Sequence, residues 1–361
     1  MNKNNYCVIM AGGVGSRFWP MSKTSFPKQF HDVLGIGRTL IQMTYDRFLA
    51  ICPKENILVV TNEIYKDLVL AQIPDMQSSQ VLTEPCMRNT APCIAYANHK
   101  IEAKNPNANI IVAPSDHLVM KEPEFVKIIT LALEEATETT NLVTLGIKPT
   151  RPDTGYGYIR FKDQESPRDN KVKEVETFVE KPNLETAESY LVDGNYYWNS
   201  GIFIWSLNNI QKEFAKHLPR IHEAFLEGKD KYFTAEEEGF IQEVYPKCEN
   251  ISIDYGIMEK AQKVSVVLSN FGWSDLGTWG SLYTHLDKDD NGNGIVGKNL
   301  IYDSKENIIF NNNSNKLTVI QGLDNYIVVD TKDSLLICKR DSEQMIKKFV
   351  GDVKKLGGDF A

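Results

Sequence analysis

The chain has 361 residues, 42% of them hydrophobic and 24% charged, with a formal net charge of −8. That length accommodates a large α/β domain plus an appendage, and the acidic balance excludes general binding to nucleic acid or anionic membranes. No apolar run approaches the roughly 18 residues of a membrane span, and Met1-Asn2-Lys3-Asn4-Asn5 lacks the apolar segment of a secretory signal.

The first element is an apolar run, Tyr6-Cys7-Val8-Ile9-Met10, which predicts a β-strand. It empties into Ala11-Gly12-Gly13-Val14-Gly15-Ser16-Arg17-Phe18-Trp19-Pro20, and Pro27-Lys28-Gln29-Phe30 follows. Glycines let backbone approach an anion closely, and successive N–H groups can point inward as a nest. Arg17 and Lys28 add two fixed positive charges. The combination of Gly12, Gly13, Gly15 and these cations suits a nucleoside triphosphate. A dinucleotide fingerprint fails, because Ser16-Arg17-Phe18 follows Gly15 where a third glycine is required. A P-loop fails for want of Gly-Lys-Ser/Thr. An ordinary glycine-rich strand-to-helix connection is the competing reading, and Arg17 and Lys28 weigh against it.

Further along, residues 57–61 and 110–113 read as strands, with helical patterns around 39–51, 63–73 and 91–104. A helix over about 122–138 shows Phe125, Ile128, Ile129, Ala132 and Leu133 at helical spacing. Strands alternating with helices predict a mostly parallel sheet covered on both faces, with ligands at the carboxyl ends of its strands. From 150 to about 285 the pattern is mixed. Strands are expected at 172–179, 198–205 and 264–268, each next to polar residues. The six cysteines (Cys7, Cys52, Cys86, Cys93, Cys248, Cys338) form no Cys-x-x-Cys pair. They read as small buried apolar residues of a reduced, cytoplasmic protein, not as a zinc site or disulfide framework.

The polar stretch 287–294 predicts a boundary, giving a catalytic domain over 1–286 and a small β-rich domain over 287–361. Asp287-Lys288-Asp289-Asp290-Asn291-Gly292 begins like a calcium loop, but Lys298 occupies the twelfth position, where a bidentate Glu is required. A solvated linker is the better reading. Beyond it come short strands at 308–310, 316–320, 326–330 and 335–338, then a helix over about 342–355 with Asp341 and Gln344 at capping-box spacing. So small a unit should pack on its neighbour.

Five more motifs accompany the glycine loop. They are Glu84-Pro85-Cys86-Met87-Arg88-Asn89-Thr90-Ala91-Pro92, Ala113-Pro114-Ser115-Asp116-His117, Phe178-Val179-Glu180-Lys181-Pro182, Trp198-Asn199-Ser200-Gly201 and Gly272-Trp273-Ser274-Asp275-Leu276-Gly277. Taken in order, the set resembles the sugar-phosphate nucleotidyltransferases, and within them the mannose-1-phosphate guanylyltransferase (GDP-mannose pyrophosphorylase) branch. Lys23 and His31 stand where that branch more often has Arg and Leu. The resemblance implies a Rossmann-like, mixed, mostly parallel sheet flanked by helices, with a β-helix-like C-terminal domain. It implies transfer of GMP from GTP to mannose 1-phosphate with release of pyrophosphate. A homodimer supported by the tail is expected on other grounds, since dimers are the commonest closed assemblies and a partner can cover unpaired strand edges. Some relatives continue into a cupin domain with isomerase activity. The chain stops before one, so a monofunctional transferase is expected.

The same resemblance assigns roles. Asp116 and Asp275 are the expected Mg²⁺ ligands. Arg17 and Lys28 would grip the GTP phosphates and Lys181 the sugar phosphate. Glu180 and Asn199 would bind sugar hydroxyls, with Gly155 admitting backbone to the sugar. Glu84, Arg88, Asn89 and Thr90 would lie near guanine and ribose. Taken alone, Asp116 also reads as a helix N-cap, Asp275 as a turn residue and Lys181 as a solvated charge. His117 is expected to be structural, since a phosphate nucleophile is already ionised and needs no base. A close rival is the same reaction on another sugar 1-phosphate, such as that of a manno-heptose or fucose. A rival of another class is a regulatory subunit that binds nucleotide sugars without turnover, and the retained Arg17, Lys28, Asp116, Lys181 and Asp275 argue against it.

Overall fold

A computed structural model describes residues 1–162, 169–313 and 315–361. The chain forms two compact units, one from Met1–Gly12, Thr44–Ser115 and Val119–Trp273, the other from Gly13–Met43, Asp116–Leu118 and Ser274–Ala361. The division passes through the glycine loop, with Gly12 in the first unit and Gly13 in the second. No helix among the described residues is long and apolar enough to cross a membrane.

The first unit is built on a nine-stranded sheet. Val81–Glu84, Ile57–Asn62, Asn5–Met10 and Asn109–Pro114 lie side by side and parallel. Tyr196–Ser206 then runs antiparallel to Asn109–Pro114, and the sheet continues through Leu142–Ile147, Val264–Ser269, Val172–Val179 and Tyr158–Phe161. Runs such as Ile110, Ile111 and Val112 carry no polar alternation because both of their faces are buried. The helix Glu122–Glu138 buries Phe125, Ile128, Ile129, Ala132 and Leu133, as its spacing predicts. Phe125 meets Phe48 and Phe271 edge-on at 5.7 and 5.2 Å. Strand ends in this sheet deliver Gly12, Glu84 and Ser115, the places where open α/β sheets bind ligands.

The second unit carries the short strands of the tail. Gly294–Val296, Ile308–Asn311 and Tyr326–Asp330 stack in parallel, with Leu335–Lys339 antiparallel at the end. Asn299–Tyr302 pairs in parallel with Thr318–Gln321. Successive coils are joined by a buried asparagine stack: Asn307 Nδ2 donates to Asn293 Oδ1 at 2.9 Å, and Tyr326 N donates to Asn307 Oδ1 at 2.8 Å. Side-chain amides thus link the coils at this corner, which periodicity alone does not reveal.

Two details differ from the sequence reading. Asp289 Oδ1 accepts from the backbone N–H groups of Asn291 and Asn293 at 3.0 and 2.8 Å, a local turn that leads directly into a strand. Asp341 caps no helix. Its carboxylate accepts from Asn325 Nδ2 at 3.1 Å, and a 3₁₀ segment, Arg340–Met345, precedes the α-helix Ile346–Leu356.

The core of the second unit is shared between the tail and the chain just after the glycine loop. Phe18, Trp19, Met21, Val33 and Leu40 pack with Ile308, Phe310, Ile327, Val329, Leu336, Ile346 and Val350. Trp279 lies at the centre, with its ring 4.9 Å from Phe18 and 5.5 Å from Phe310. The apolar residues that follow Arg17 therefore find their burial among the tail strands.

Candidate active site

The start of the loop is pinned in the first unit. Ala11 N donates to Val60 O at 2.8 Å, and Thr61 Oγ1 donates to Ala11 O at 2.9 Å. A Cβ on Gly12 would lie 3.1 Å from Glu84 Oε2. In the second unit, a Cβ on Gly13 would meet nothing within 4 Å, so that position faces open space. Gly15 is different. Its φ is +69°, and a Cβ there would stand 2.6 Å from Lys28 Cβ, so both backbone and packing require glycine. Arg17 sits in a 3₁₀ turn, Ser16–Phe18. Its Nε is buried and meets no acceptor.

Lys28, by contrast, is fully engaged and only 3% exposed. Its Nζ forms an ion pair with Asp116 Oδ2 at 2.7 Å and donates to the carbonyls of Asp275 and Leu276 at 3.0 and 2.9 Å. One ammonium thus ties the two acidic motifs of the second unit together. The Phe18 ring lies 5.3 Å beneath it. Burial opposes the charge on Asp116, but Lys28 and His117 outweigh burial and hold its carboxyl below the usual range. The Asp116 side chain keeps 30% of its surface exposed. Gly277 N donates to Asp275 Oδ1 at 3.0 Å. Among the described residues no three His, Cys, Asp or Glu side chains form a protein-only metal cage. An ionised, partly exposed Asp116 tied to Asp275 is instead the donor set expected where Mg²⁺ takes one or two carboxylates and fills its shell with phosphate and water.

The first unit holds the sugar-motif residues. Asn199 N donates to Gly157 O at 2.8 Å. A Cβ on Gly157 would fall 2.4 Å from Glu180 Oε2 and 3.3 Å from Asn199 Cβ. The glycine packed against Glu180 and Asn199 is therefore Gly157, while Gly155 N donates to Asp153 Oδ1 at 2.8 Å. Glu180 Oε1 pairs with Lys181 Nζ, and Glu180 Oε2 is buried without a partner. Lys181 has a φ of +48°. Burial works against its charge, yet Glu180 and Asp254 together raise its pKa above the ordinary value.

In the Glu84–Thr90 motif, Glu84 is buried and accepts from the Tyr245 hydroxyl. Burial pushes its carboxyl up to about 7, against the lowering effect of that hydrogen bond. Arg88 Nη2 donates to Pro246 O at 2.6 Å, while Arg88 Nε is buried without an acceptor. Asn89 adopts φ +66° and its Oδ1 accepts from Thr90 N at 2.9 Å, opening the helix Thr90–Lys104. Thr90 Oγ1 accepts from Ile253 N at 2.8 Å.

Sequence reasoning missed Gly157, Thr144, Tyr245 and Asp254. Thr144 Oγ1 donates to Asn199 Oδ1, and Asn199 Nδ2 donates to Asp254 Oδ1, both at 2.9 Å. Burial and the neighbouring Glu180 push Asp254 up to about 7. No local pattern in the sequence marks Asp254. All six cysteines are free thiols.

Comparison with known proteins identifies the family. Residues 6–292 match the nucleotidyl transferase family model, and residues 297–353 match the MannoseP isomerase/GMP-like beta-helix domain. The mannose-1-phosphate guanylyltransferase of Salmonella montevideo is 39% identical over 355 residues, which cover 96% of this chain and 73% of that protein. The Escherichia coli protein of the same name is 36% identical over 349 residues, covering 95% of this chain and 74% of that protein. A solved structure from Thermus thermophilus, described as mannose-1-phosphate geranyltransferase, superposes with a TM-score of 0.86 at 30% identity, covering 97% of this chain and 99% of the other. The chain belongs to the nucleotidyl transferase family, as an enzyme with a β-helix domain following its transferase region.

Proposed function

We propose that the chain transfers GMP from GTP to α-D-mannose 1-phosphate, giving GDP-mannose and pyrophosphate. The observation that carries this reading is a pair of unanswered groups. Arg17 Nε in the glycine loop is a buried donor without an acceptor, and Glu180 Oε2 in the sugar motif is a buried acceptor without a donor. Unmet buried polar groups cost about 1–3 kcal/mol each, so a phosphate oxygen at the first and a sugar hydroxyl at the second would each relieve one of them. The relatives named mannose-1-phosphate guanylyltransferase support the choice of sugar and base. A catalytic domain over 1–286 with a β-rich domain over 287–361, in a cytoplasmic homodimer, goes with this reading.

In the proposed reaction an oxygen of the sugar phosphate attacks the α-phosphorus of GTP in line, the bond to the β-phosphate oxygen breaks, and pyrophosphate leaves. A phosphate monoester has a second pKa of about 6, so the nucleophile is already ionised and no side chain need remove a proton. The chain's task is to bring two anions together and meet charge moving to pyrophosphate. Arg17 and the loop N–H groups face the triphosphate. Lys28 holds Asp116 ionised and fixes the backbone at Asp275. Asp116 and Asp275 would hold Mg²⁺, which when bound supplies charge neutralisation to the phosphates. Lys181 receives the sugar phosphate, while Glu180 and Asn199 receive hydroxyls. Glu84, Arg88, Asn89 and Thr90 serve guanine and ribose.

Pyrophosphate release across a matrix of nucleotides and sugar 1-phosphates tests the reading. GTP with mannose 1-phosphate should be the best pair. Faster turnover of UTP with glucose 1-phosphate would overturn the assignment while leaving the family intact.

A further inference from the structure

Asp254–Met258, in the first unit, forms a π-turn, closed by Glu259 N donating to Asp254 O at 3.0 Å. Such turns are rare and recur at functional sites. This one is held from both sides. Ile253 N donates to Thr90 Oγ1, and a Cβ on Gly256 would stand 2.8 Å from Leu218 Cδ1, so the turn packs closely on that side chain.

Both ends of the turn reach the sugar motifs. At its first residue, Asp254 Oδ1 accepts from Asn199 Nδ2 at 2.9 Å. Just past its last residue, Glu259 Oε1 accepts from Glu180 N at 3.0 Å. The opposite side of the Asn199 amide is held by Thr144 Oγ1 and by Gly201 N, at 2.9 and 3.2 Å. An amide offers two N–H donors and one carbonyl acceptor. With the carbonyl and one N–H committed, the amide cannot flip, and one N–H is left for a ligand. Glu180 is fixed in the same way, from its backbone by Glu259 and from Oε1 by Lys181, which leaves Oε2 as its unpartnered oxygen.

We propose that the π-turn is a clamp in which Asp254 and Glu259 act as positioning residues: they orient Asn199 and Glu180 so that one fixed N–H and one fixed carboxylate oxygen read the hydroxyls of the sugar 1-phosphate. The inference rests on the function proposed above and assigns its sugar selectivity to residues outside the recognised motifs. Neither positioning residue touches substrate; each acts through the residue it holds.

The test compares full-length wild type with Asp254→Ala, Asp254→Asn and Glu259→Ala. The readouts are KM for each substrate, the ratio of kcat/KM for mannose 1-phosphate over glucose 1-phosphate, and the melting temperature. Asp254→Ala and Glu259→Ala should each raise KM for the sugar phosphate about tenfold. KM for GTP should stay within about twofold, and the sugar ratio should fall. Asp254→Asn keeps an acceptor toward Asn199 and should recover most of the lost sugar affinity. An unchanged sugar KM in both alanine variants overturns the clamp. So does an equal rise for both substrates with an unchanged sugar ratio, the mark of general loosening. Wild-type protein that uses a different sugar 1-phosphate would correct the functional reading instead, and the same variants are then scored with that sugar.

Discussion

The site motifs of the two units treat charge differently. In the second, charge is paired in advance: Lys28 saturates itself on Asp116 and on the carbonyls of Asp275 and Leu276, and Arg17 keeps a buried donor in reserve. In the first, the acids of the site motifs are buried. Glu180 adds to the cost of ionising Asp254, Glu84 is buried under Tyr245, and Glu180 itself keeps an unmatched acceptor. The unpaired donor suits an anion and the unpaired acceptor suits hydroxyls. At Arg17 and Glu180, what the motif offers a ligand is therefore told by the polar atom left over after internal pairing, not by which charged residues it contains.

Removing each cation of the second unit breaks this contrast most sharply. Lys28→Ala should leave Asp116 partly buried without its partner, lowering kcat/KM by about 10³ and costing about 2 kcal/mol of stability after allowance for Asp116's exposure. Arg17→Ala should lower kcat/KM for GTP by about 10² with no loss of melting temperature, because Arg17 Nε has no internal bond to lose. Steady-state kinetics beside thermal melts separate the two. A destabilised Arg17→Ala with Lys28→Ala still stable would invert the assignment.

The second contrast is between a tail that merely packs and a tail that supports the loop. Phe310 lies on a tail strand yet shares a core with Phe18 and Trp279. Phe310→Ala should cost about 3–4 kcal/mol. It should also raise KM for GTP several-fold while leaving that for the sugar phosphate unchanged, because the residues after Arg17 lose packing and those around Glu180 do not. Equal KM changes for both substrates would mean that the tail does not act through the loop.

Most of the architecture was legible because buried strands announce themselves as apolar runs and the helix Glu122–Glu138 by its spacing. The site was legible only as residue types. Arg17, Lys28, Asp116 and Glu180 stand out in the sequence, but nothing local says that Lys28 is spent on Asp116, or that Gly15 is glycine because Lys28 Cβ lies against it. Asp254 and Tyr245 escaped notice because their meaning is wholly tertiary: each acts on a residue far away in the chain, Asn199 or Glu84. The strands Gly294–Val296 and Asn299–Tyr302 were obscured by Asp, Asn and Gly, which signal turns in isolation but here build the asparagine corner of a stacked coil.

The charge contrast can also be tested by pH. Burial raises Glu84 from 4.5 to about 7. A folded-state pKa above the unfolded one means that the native state binds the proton more tightly, so this stabilisation is complete below the unfolded value and is lost as pH rises through the folded value. Asp254, also pushed up to about 7, acts in the same direction. Asp116 has the opposite sign. Its depressed pKa contributes stability above the ordinary carboxylate range, lost as pH falls through the folded value. Melting temperature should therefore decline from about pH 5 to pH 8, with Glu84 accounting for at most roughly 3 kcal/mol. Glu84→Gln, which can still accept from Tyr245, should flatten that decline, and Asp116→Asn should flatten only the acid limb. Parallel melting curves for wild type and Glu84→Gln across this range would mean that Glu84 ionises like an exposed carboxylate, and the first unit would lose part of its distinction from the second.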